Sequence, residues 1–251
     1  MTLSISAILD IPMIKEGDSL PHIIIQSIDN MQIQLQNDDV IVLAQKIVSK
    51  AEGRMVDLRE VKPSAEAIAL GGETEKDPRL VEMILQESNS IVRKRPGLII
   101  AEHNQGFICA NAGIDHSNVA GSSAFILLLP EDSDESAGRI RQELEDATDL
   151  RLAVLIIDSH GRAWRNGTVG ISIGLSGLPG IVDKRGSKDM FGYELKVTEI
   201  GVADELAAAA SLMMGQVAEG TPVVHVRGFP YKLRDANLEE LLREKDRDMF
   251  R

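Results

Sequence analysis

The chain lacks the features that mark disulfide-rich, membrane-spanning and secreted proteins. Cys109 is its single cysteine, so an intramolecular disulfide is impossible and a thiolate-based zinc site is not expected. No apolar run approaches the ~20 residues that a bilayer span needs. The N-terminal segment Met1–Lys15 carries Asp10 and has no basic n-region, so we do not expect a signal peptide. These absences predict a soluble, cytoplasmic protein.

Positive charge is also scarce. The 251 residues include 27 Lys and Arg against 39 Asp and Glu, which gives a formal net charge of −12. This balance argues against non-specific binding to nucleic acid or to an anionic membrane, but it permits a local basic pocket for a small acidic molecule. Apolar residues at 43% and charged residues at 26% are ordinary globular values, and the chain is long enough to bury a substantial core.

Short apolar runs alternate with helical patterns. Buried or half-buried strands are predicted over Val40–Ala44, Gly97–Ala101, Phe125–Leu129, Ala153–Ile157, Thr168–Ser176 and Val223–Val226. Helices are predicted from Asp77-Pro78 onward, over Ser133–Asp149 and over Val202–Met214, which Gly215 ends. A charged or partly frayed helix is predicted over Asn237–Phe250. Ala69–Pro78 is the best loop candidate. The alternation predicts α/β or α+β architecture.

The common signatures of nucleotide and hydrolase sites are missing. The sequence has no Gly-x-x-x-x-Gly-Lys-Ser/Thr loop and no Gly-x-Gly-x-x-Gly after a strand. It also has no Gly-x-Ser-x-Gly elbow and no His-Glu-x-x-His pair. Any catalytic interpretation therefore depends on less common arrangements.

Two oxygen-rich segments are candidate metal sites. Asp158 and Ser159 follow a predicted buried strand, and the carboxyl ends of strands in open α/β sheets face the ligand crevice. Asp115 lies within Asn111–Asn118, among other oxygen-bearing side chains. Such hard ligands suit magnesium or manganese better than zinc. Each segment also fits an ordinary Asp- and Gly-containing turn, and the residues alone leave both interpretations open.

Basic residues form two more candidate sites. Lys46 and Lys50 follow the strand Val40–Ala44 and, on a helix, would share one face as a phosphate cradle. Arg162 and Arg165 could bind an acidic ligand bidentately. A solvated helix face and surface salt bridges are the alternatives. Among the five histidines none shows metal-ligand spacing; the two that stay open, because each lies near a candidate carboxylate, are His116 and His160.

Taken in order, these segments resemble one family, the coenzyme F(420)-0:L-glutamate ligases. The similarity runs from Ile11 to Gly228 and depends on several motifs in one order. The motifs are Ser49-Lys50-Ala51-Glu52-Gly53-Arg54, Asn111-Ala112-Gly113-Ile114-Asp115, Ser117-Asn118, Asp158-Ser159-His160-Gly161-Arg162, Gly167-Thr168-Val169-Gly170, Lys188-Asp189-Met190-Phe191-Gly192 and Val202-Ala203-Asp204-Glu205.

The resemblance implies a GTP-dependent ligase that needs divalent manganese or magnesium, and we include potassium among the candidate ions. Such a ligase adds L-glutamate to the deazaflavin precursor F(420)-0 through an amide bond, and some members add further gamma-linked glutamates. The implied fold is α+β: a mixed α/β two-domain monomer that forms an intertwined homodimer. Residues 1–251 would be a single ligase unit, with two interleaved subdomains as an alternative whose boundaries the sequence does not place.

The resemblance also assigns roles to residues. The implied GTP-binding set is Ile11, Pro12, Met13, Ile14, Gln45, Lys46, Lys50, Asn118 and the loop of Met214, Gly215, Gln216, Val217, Ala218, Glu219, Gly220 and Thr221. The implied metal set is Asp115, Asp158, Ser159 and Gln216; some members have Glu in this loop, and a neutral amide oxygen coordinates more weakly. The predicted catalytic residues are Asp158, Lys50 and Arg162. The alternatives are a ligase for another carboxylated metabolite and a nucleotide-binding regulator without turnover.

Overall fold

A computed structural model describes residues 2–116 and 124–250, and their mixture of helices and sheets agrees with the predicted α+β class. The α-helices are α1 (Leu20–Asn30), α2 (Gln45–Ala51), α3 (Ala65–Thr74), α4 (Pro78–Gln86), α5 (Ser133–Thr148) and α6 (Val202–Met214). The strands are β1 (Ser4–Ala7), β2 (Val40–Ala44), β3 (Met55–Asp57), β4 (Ser88–Arg95), β5 (Leu98–His103), β6 (Ile108–Ala110), β7 (Phe125–Leu127), β8 (Ala153–Arg162), β9 (Arg165–Ser176), β10 (Val182–Asp183), β11 (Glu199–Ile200) and β12 (Val223–Arg227). Single 3₁₀ turns cover Asn111–Gly113, Leu238–Leu241 and Lys245–Arg247.

A five-stranded sheet in the order β1-β12-β2-β8-β9 organises the fold. Its two central strands, β2 and β8, are parallel, with Ala44 beside Ile157, whereas the other neighbouring pairs are antiparallel. Because parallel strands end at the same edge, the residues that follow Ala44 lie beside those that follow Ile157. The sheet therefore brings two distant sequence segments together at one edge.

Both faces of this sheet are covered by helices. Along β2, Ile41 and Leu43 face a core that includes α1 and α5, whereas Val40 and Val42 face a core that includes α6. This alternation follows from the two-residue period of a strand. Burial on both faces explains why the central strands read as continuous β-branched runs in the sequence.

Helix α6 packs unusually close to β9. A Cβ atom at Gly170 would lie 2.5 Å from the carbonyl oxygen of Ala207, so only glycine fits at this contact. At a register shift between β8 and β9, Asp204 Oδ1 accepts a hydrogen bond from the backbone N–H of Ser172 at 2.9 Å. The two sequence motifs that contain Gly170 and Asp204 therefore have a packing role.

Three smaller sheets accompany the central one, and the shortest of them pairs β10 with β11. β4, β5 and β6 form an antiparallel sheet whose core includes residues of α3 and α4. β3 pairs with β7, and the backbone of Asp115 exchanges two hydrogen bonds of 2.9 Å with Leu127 of β7. Asp115 is thus held in an extended bridge rather than at the tip of a free turn. In the part of the chain that the structure describes, no helix is long and apolar enough to cross a membrane.

Two predictions of local structure between the strands are wrong. Ala69–Pro78 is mostly helical, because α3 begins after the N-cap Ser64 and continues to Thr74. Gly71 interrupts the apolar pattern there because α4 is close: a Cβ at Gly71 would lie 3.2 Å from Pro78 Cγ. The strand predicted to end at Ile157 continues as β8 to Arg162, because β9 pairs with it along that whole length.

The predicted charged helix over Asn237–Phe250 is also wrong, since this segment contains only 3₁₀ turns. Its side chains bind other parts of the chain instead. Glu240 Oε2 accepts hydrogen bonds from the backbone N–H groups of Gly180 and Ile181 at 3.2 and 3.3 Å, and it pairs with Arg234. Its apolar residues Leu238, Leu241 and Leu242 pack against the core beside α1 and α5 in this 3₁₀ conformation.

Candidate functional site

A cavity of about 1020 Å³ lies where the parallel pairing of β2 with β8 ends, at Ala44 and Ile157. Its walls come from the start of α2, the residues after Ile157, the end of α6 and the loop that follows α6. The predicted site residues that line it are Met13, Gln45, Lys46, Lys50, Asp158, Ser159 and the loop from Met214 to Thr221. Segments that are separated by more than 100 residues in the sequence therefore meet at one site.

Two lysines on α2 line this cavity. The helix begins at Gln45, directly after β2, and places Lys46 and Lys50 one turn apart. Burial lowers the pKa of Lys50, and the positive charge of Lys46 lowers it further. A negatively charged ligand would relieve the repulsion between the two ammonium groups, so this wall of the cavity favours an anion.

Asp115 is tied to the same wall. Its Oδ2 accepts a hydrogen bond of 2.7 Å from Gln45 Nε2 and lies 3.2 Å from Lys46 Nζ. Ser49 Oγ donates to Gln45 Oε1 at 2.9 Å and so fixes the orientation of the amide. Burial raises the pKa of Asp115, and the negative charge of Asp158 raises it further, against the opposing effect of Lys46. Two partly buried carboxylates therefore share this region.

Asp158 and Ser159 leave β8 on opposite faces, as successive strand residues do. Asp158 Oδ2 accepts a hydrogen bond of 3.0 Å from His160 Nε2. Burial alone would raise the pKa of Asp158, but the hydrogen bond and the charge of His160 hold it below its usual value. Ser159 Oγ donates to Gln216 Oε1 at 2.8 Å, which joins the middle of β8 to the loop after α6.

The loop after α6 is closed by its own residues. Gly215 has a φ of 71°, a left-handed conformation that favours glycine, and it ends α6 as predicted. Thr221 Oγ1 donates to the carbonyl oxygen of Met214 at 3.1 Å and so joins the two ends of the loop. Glu219 Oε2 accepts from the backbone N–H of Val217 at 2.8 Å. These bonds form the loop into one wall of the cavity.

The donor atoms at this edge fit a divalent cation with a preference for oxygen. Within residues 2–116 and 124–250, no three His, Cys, Asp or Glu side chains form a group that could hold a metal ion. A metal here would instead use two carboxylates, of Asp115 and Asp158, with neutral oxygens from Ser159 and Gln216. The raised pKa of Asp115 supports this fit, because a cation placed near both carboxylates would offset their repulsion.

Several predicted residues do not line the cavity. Ile14 is buried in the core on the α1 and α5 face of the sheet, and neither Ile11 nor Pro12 lines the cavity wall. Arg162 lies four residues beyond Asp158 along β8, roughly 13 Å away at the rise of a strand. Asn118 lies outside the described residues. The structure therefore does not bring Arg162 to the site with Asp158 and Lys50.

Sequence reasoning also missed contributors to the site. Ser211 of α6 lines the cavity, and its position one turn before Met214 could have indicated this. His116 lines the cavity next to Asp115 in sequence, and His160 contacts Asp158. The sequence left both histidines as candidates without a role, because each lies near a candidate carboxylate. The bond between Gln45 and Asp115 spans 70 residues, and no local pattern predicts it.

Lys46, Lys50 and Asp158 line one cavity, and Asp115 is joined to its wall through Gln45 and Lys46. This set of charges would suit a ligand that carries phosphate groups together with a divalent metal. The family described as F420-0:gamma-glutamyl ligase matches residues 8–228. The chain belongs to this family.

Relatives from methanogens are similar over most or all of the chain. The coenzyme F420:L-glutamate ligase of Methanothermobacter thermautotrophicus is 46% identical over 253 residues, 100% of both chains. The enzyme of the same name from Methanococcus maripaludis strain C6 is 46% identical over 217 residues, 86% of both chains. That of Methanocaldococcus jannaschii is 42% identical over 245 residues, 97% of this chain and 95% of the relative.

Proposed function

We propose that this protein is a coenzyme F420-0:L-glutamate ligase that uses GTP and a divalent metal. The ligase activity is supported by membership in the family and by relatives of that name at 42–46% identity. The dependence on GTP and metal is supported by one observation above others. The cavity gathers Lys46, Lys50, Asp158 and Ser159 where the parallel pairing of β2 with β8 ends.

Amide formation from a free carboxylate requires activation of that carboxylate. Transfer of the terminal phosphoryl group of GTP to a carboxylate oxygen of F420-0 gives an acyl phosphate and GDP. The amine of glutamate then attacks the acyl carbon and inorganic phosphate leaves. A divalent metal, when bound, would neutralise charge on the phosphate oxygens.

The residues of the chain have distinct tasks in this scheme. Lys46 and Lys50 bind phosphate oxygens through charge-assisted hydrogen bonds. Asp115, Asp158, Ser159 and Gln216 would hold the metal. The loop from Met214 to Thr221 covers the nucleotide on the opposite wall, where its closure by Thr221 fixes its shape.

The test is an assay of product mass. Purified protein is incubated with F420-0, L-glutamate, GTP and Mn²⁺, and the deazaflavin is analysed by mass spectrometry. We expect its mass to increase by one or more glutamate units, and the increase to disappear without GTP, without metal or in the Asp158→Asn variant. A mass increase on another carboxylated metabolite alone would change the acceptor. GTP binding without any product would favour a regulator.

A further inference from the structure

We propose that His160 is a positioning residue, which fixes the orientation of the Asp158 carboxylate at the cavity. The proposal rests on the function proposed above, since it gives Asp158 a metal-binding task. It concerns a side chain that does not line the cavity itself. His160 acts on the site only through Asp158.

The geometry places the two side chains on one face of β8. Residues i and i+2 of a strand point to the same side, so Asp158 and His160 are neighbours there. His160 Nε2 lies 3.0 Å from Asp158 Oδ2, and the side chains are only 7% and 14% exposed. The imidazole engages Oδ2 and so fixes the orientation of the carboxylate, while Asp158 lines the cavity.

The imidazole is itself held in place by aromatic packing. Phe107 lies against His160 with ring centroids 5.6 Å apart, and His103 stacks on Phe107 at 5.0 Å with nearly parallel planes. His103 Nδ1 accepts a hydrogen bond of 3.1 Å from the backbone N–H of Gln105. Phe107 is therefore the direct aromatic neighbour of His160, whereas His103 contacts Phe107 on its own side and does not reach Asp158.

This arrangement has a consequence for metal binding. A carboxylate that is free to rotate must be ordered when the metal binds, whereas one held by a buried donor is already oriented. Partners of this kind typically change metal affinity by roughly 10- to 100-fold when they are removed. We therefore expect the role of His160 to be visible in metal binding itself, without substrate or turnover.

The experiment compares Mn²⁺ binding by three variants with the parent, by electron paramagnetic resonance of free Mn²⁺ and without nucleotide. His160→Leu removes the donor but fills the space beside Phe107. His160→Gln keeps an amide N–H at a similar reach. His103→Leu is the matched control, because it disturbs the same ring stack but does not contact Asp158. Melting temperatures of all variants are measured in parallel.

We expect His160→Leu to weaken Mn²⁺ binding by roughly 10- to 100-fold, His160→Gln to restore most of it, and His103→Leu to bind like the parent. In steady-state assays the KM for Mn²⁺ should rise in His160→Leu much more than the KM for GTP. If His160→Leu does not fold, His160→Met replaces it.

Three results would overturn the inference: Mn²⁺ binding by His160→Leu equal to that of the parent, equal weakening in His160→Gln and His160→Leu, or equal weakening in His103→Leu. A parent protein that binds no Mn²⁺, with or without GTP, contradicts the proposed function instead. The two failures are therefore distinguishable.

Discussion

Lys46 should oppose metal binding and favour nucleotide binding, so its removal should change the two affinities in opposite directions. Lys46 Nζ lies 3.2 Å from Asp115 Oδ2, where it supplies positive charge that a metal would also supply. Lys46→Met keeps the aliphatic stem and removes this charge. Asp115 then becomes a better ligand, whereas the cavity loses one of its two phosphate-binding amines.

The magnitude follows from the distance and the exposure of the pair. Coulomb's law at 3.2 Å gives about 1.3 kcal/mol in bulk water and about 5 kcal/mol at an effective dielectric constant of 20. The side chains are 30% and 25% exposed, so solvent screens the pair, and exposed pairs contribute only ~0.2–1 kcal/mol. We adopt about 1 kcal/mol, which corresponds to roughly fivefold tighter Mn²⁺ binding in Lys46→Met.

The assay is calorimetric titration with Mn²⁺ alone and then with GTP in saturating Mn²⁺. GTP binding should weaken in the variant, because a charge-assisted hydrogen bond to phosphate is lost. Lys94→Met is the matched control. Lys94 lies on β4 and pairs at 2.5 Å with Glu73 of α3, so its removal should change neither the Mn²⁺ nor the GTP affinity. Weaker Mn²⁺ binding in Lys46→Met, or no change in either affinity, would refute the reasoning.

The remaining predictions concern phosphate binding, stability and assembly. Lys50→Ala should raise the KM for GTP or lower kcat, with little change in Tm without nucleotide. Lys50→Arg should restore activity only in part, because a planar guanidinium and a point ammonium do not fit one phosphate site equally. Asp39 is buried against His225 and Arg227, and these hydrogen bonds outweigh burial and hold its pKa at about 2. The carboxylate therefore stabilises the fold fully above its unfolded-state pKa, and this stabilisation is lost as the pH falls toward 2. Asp39→Asn should lower the free energy of unfolding in urea at pH 7 by about 3 kcal/mol and weaken its acid dependence below pH 4. Equal urea midpoints of parent and variant would contradict this. The proposed homodimer should sediment at twice the chain mass at micromolar concentration, and a clean monomer would exclude it.

The sequence is sufficient for the central strands and for the best helices. β2 and α6 have the predicted bounds, because each is a strongly patterned run with a clear end, such as Gly215 after Met214. Prediction fails where distant contacts decide the structure. β8 continues past Ile157 because β9 pairs with it, and the C-terminal segment is not helical because its side chains bind residues far away in the chain.

The same division holds for the site. Lys46, Asp158 and the loop after α6 were predicted separately, by strand ends and by resemblance, and the parallel pairing of β2 with β8 brings them together. Arg162 is predicted, with Arg165, to bind an acidic ligand, and it ends the motif that begins at Asp158. A continuous strand carries it away from the cavity, whereas a turn at Gly161 would have kept it near. The role of His160 could not be predicted, because the sequence alone does not show that it shares a strand face with Asp158.

The most direct test of the central claim is the position of manganese in a crystal of this protein grown with Mn²⁺ and a non-hydrolysable GTP analogue. Diffraction data collected at the manganese absorption edge locate the ion independently of any assumption about its ligands. The account predicts an anomalous peak within coordination distance of the carboxylates of Asp115 and Asp158, with the analogue's phosphates between this peak and Lys50. A peak elsewhere, or the analogue bound outside the cavity where the pairing of β2 with β8 ends, would contradict it.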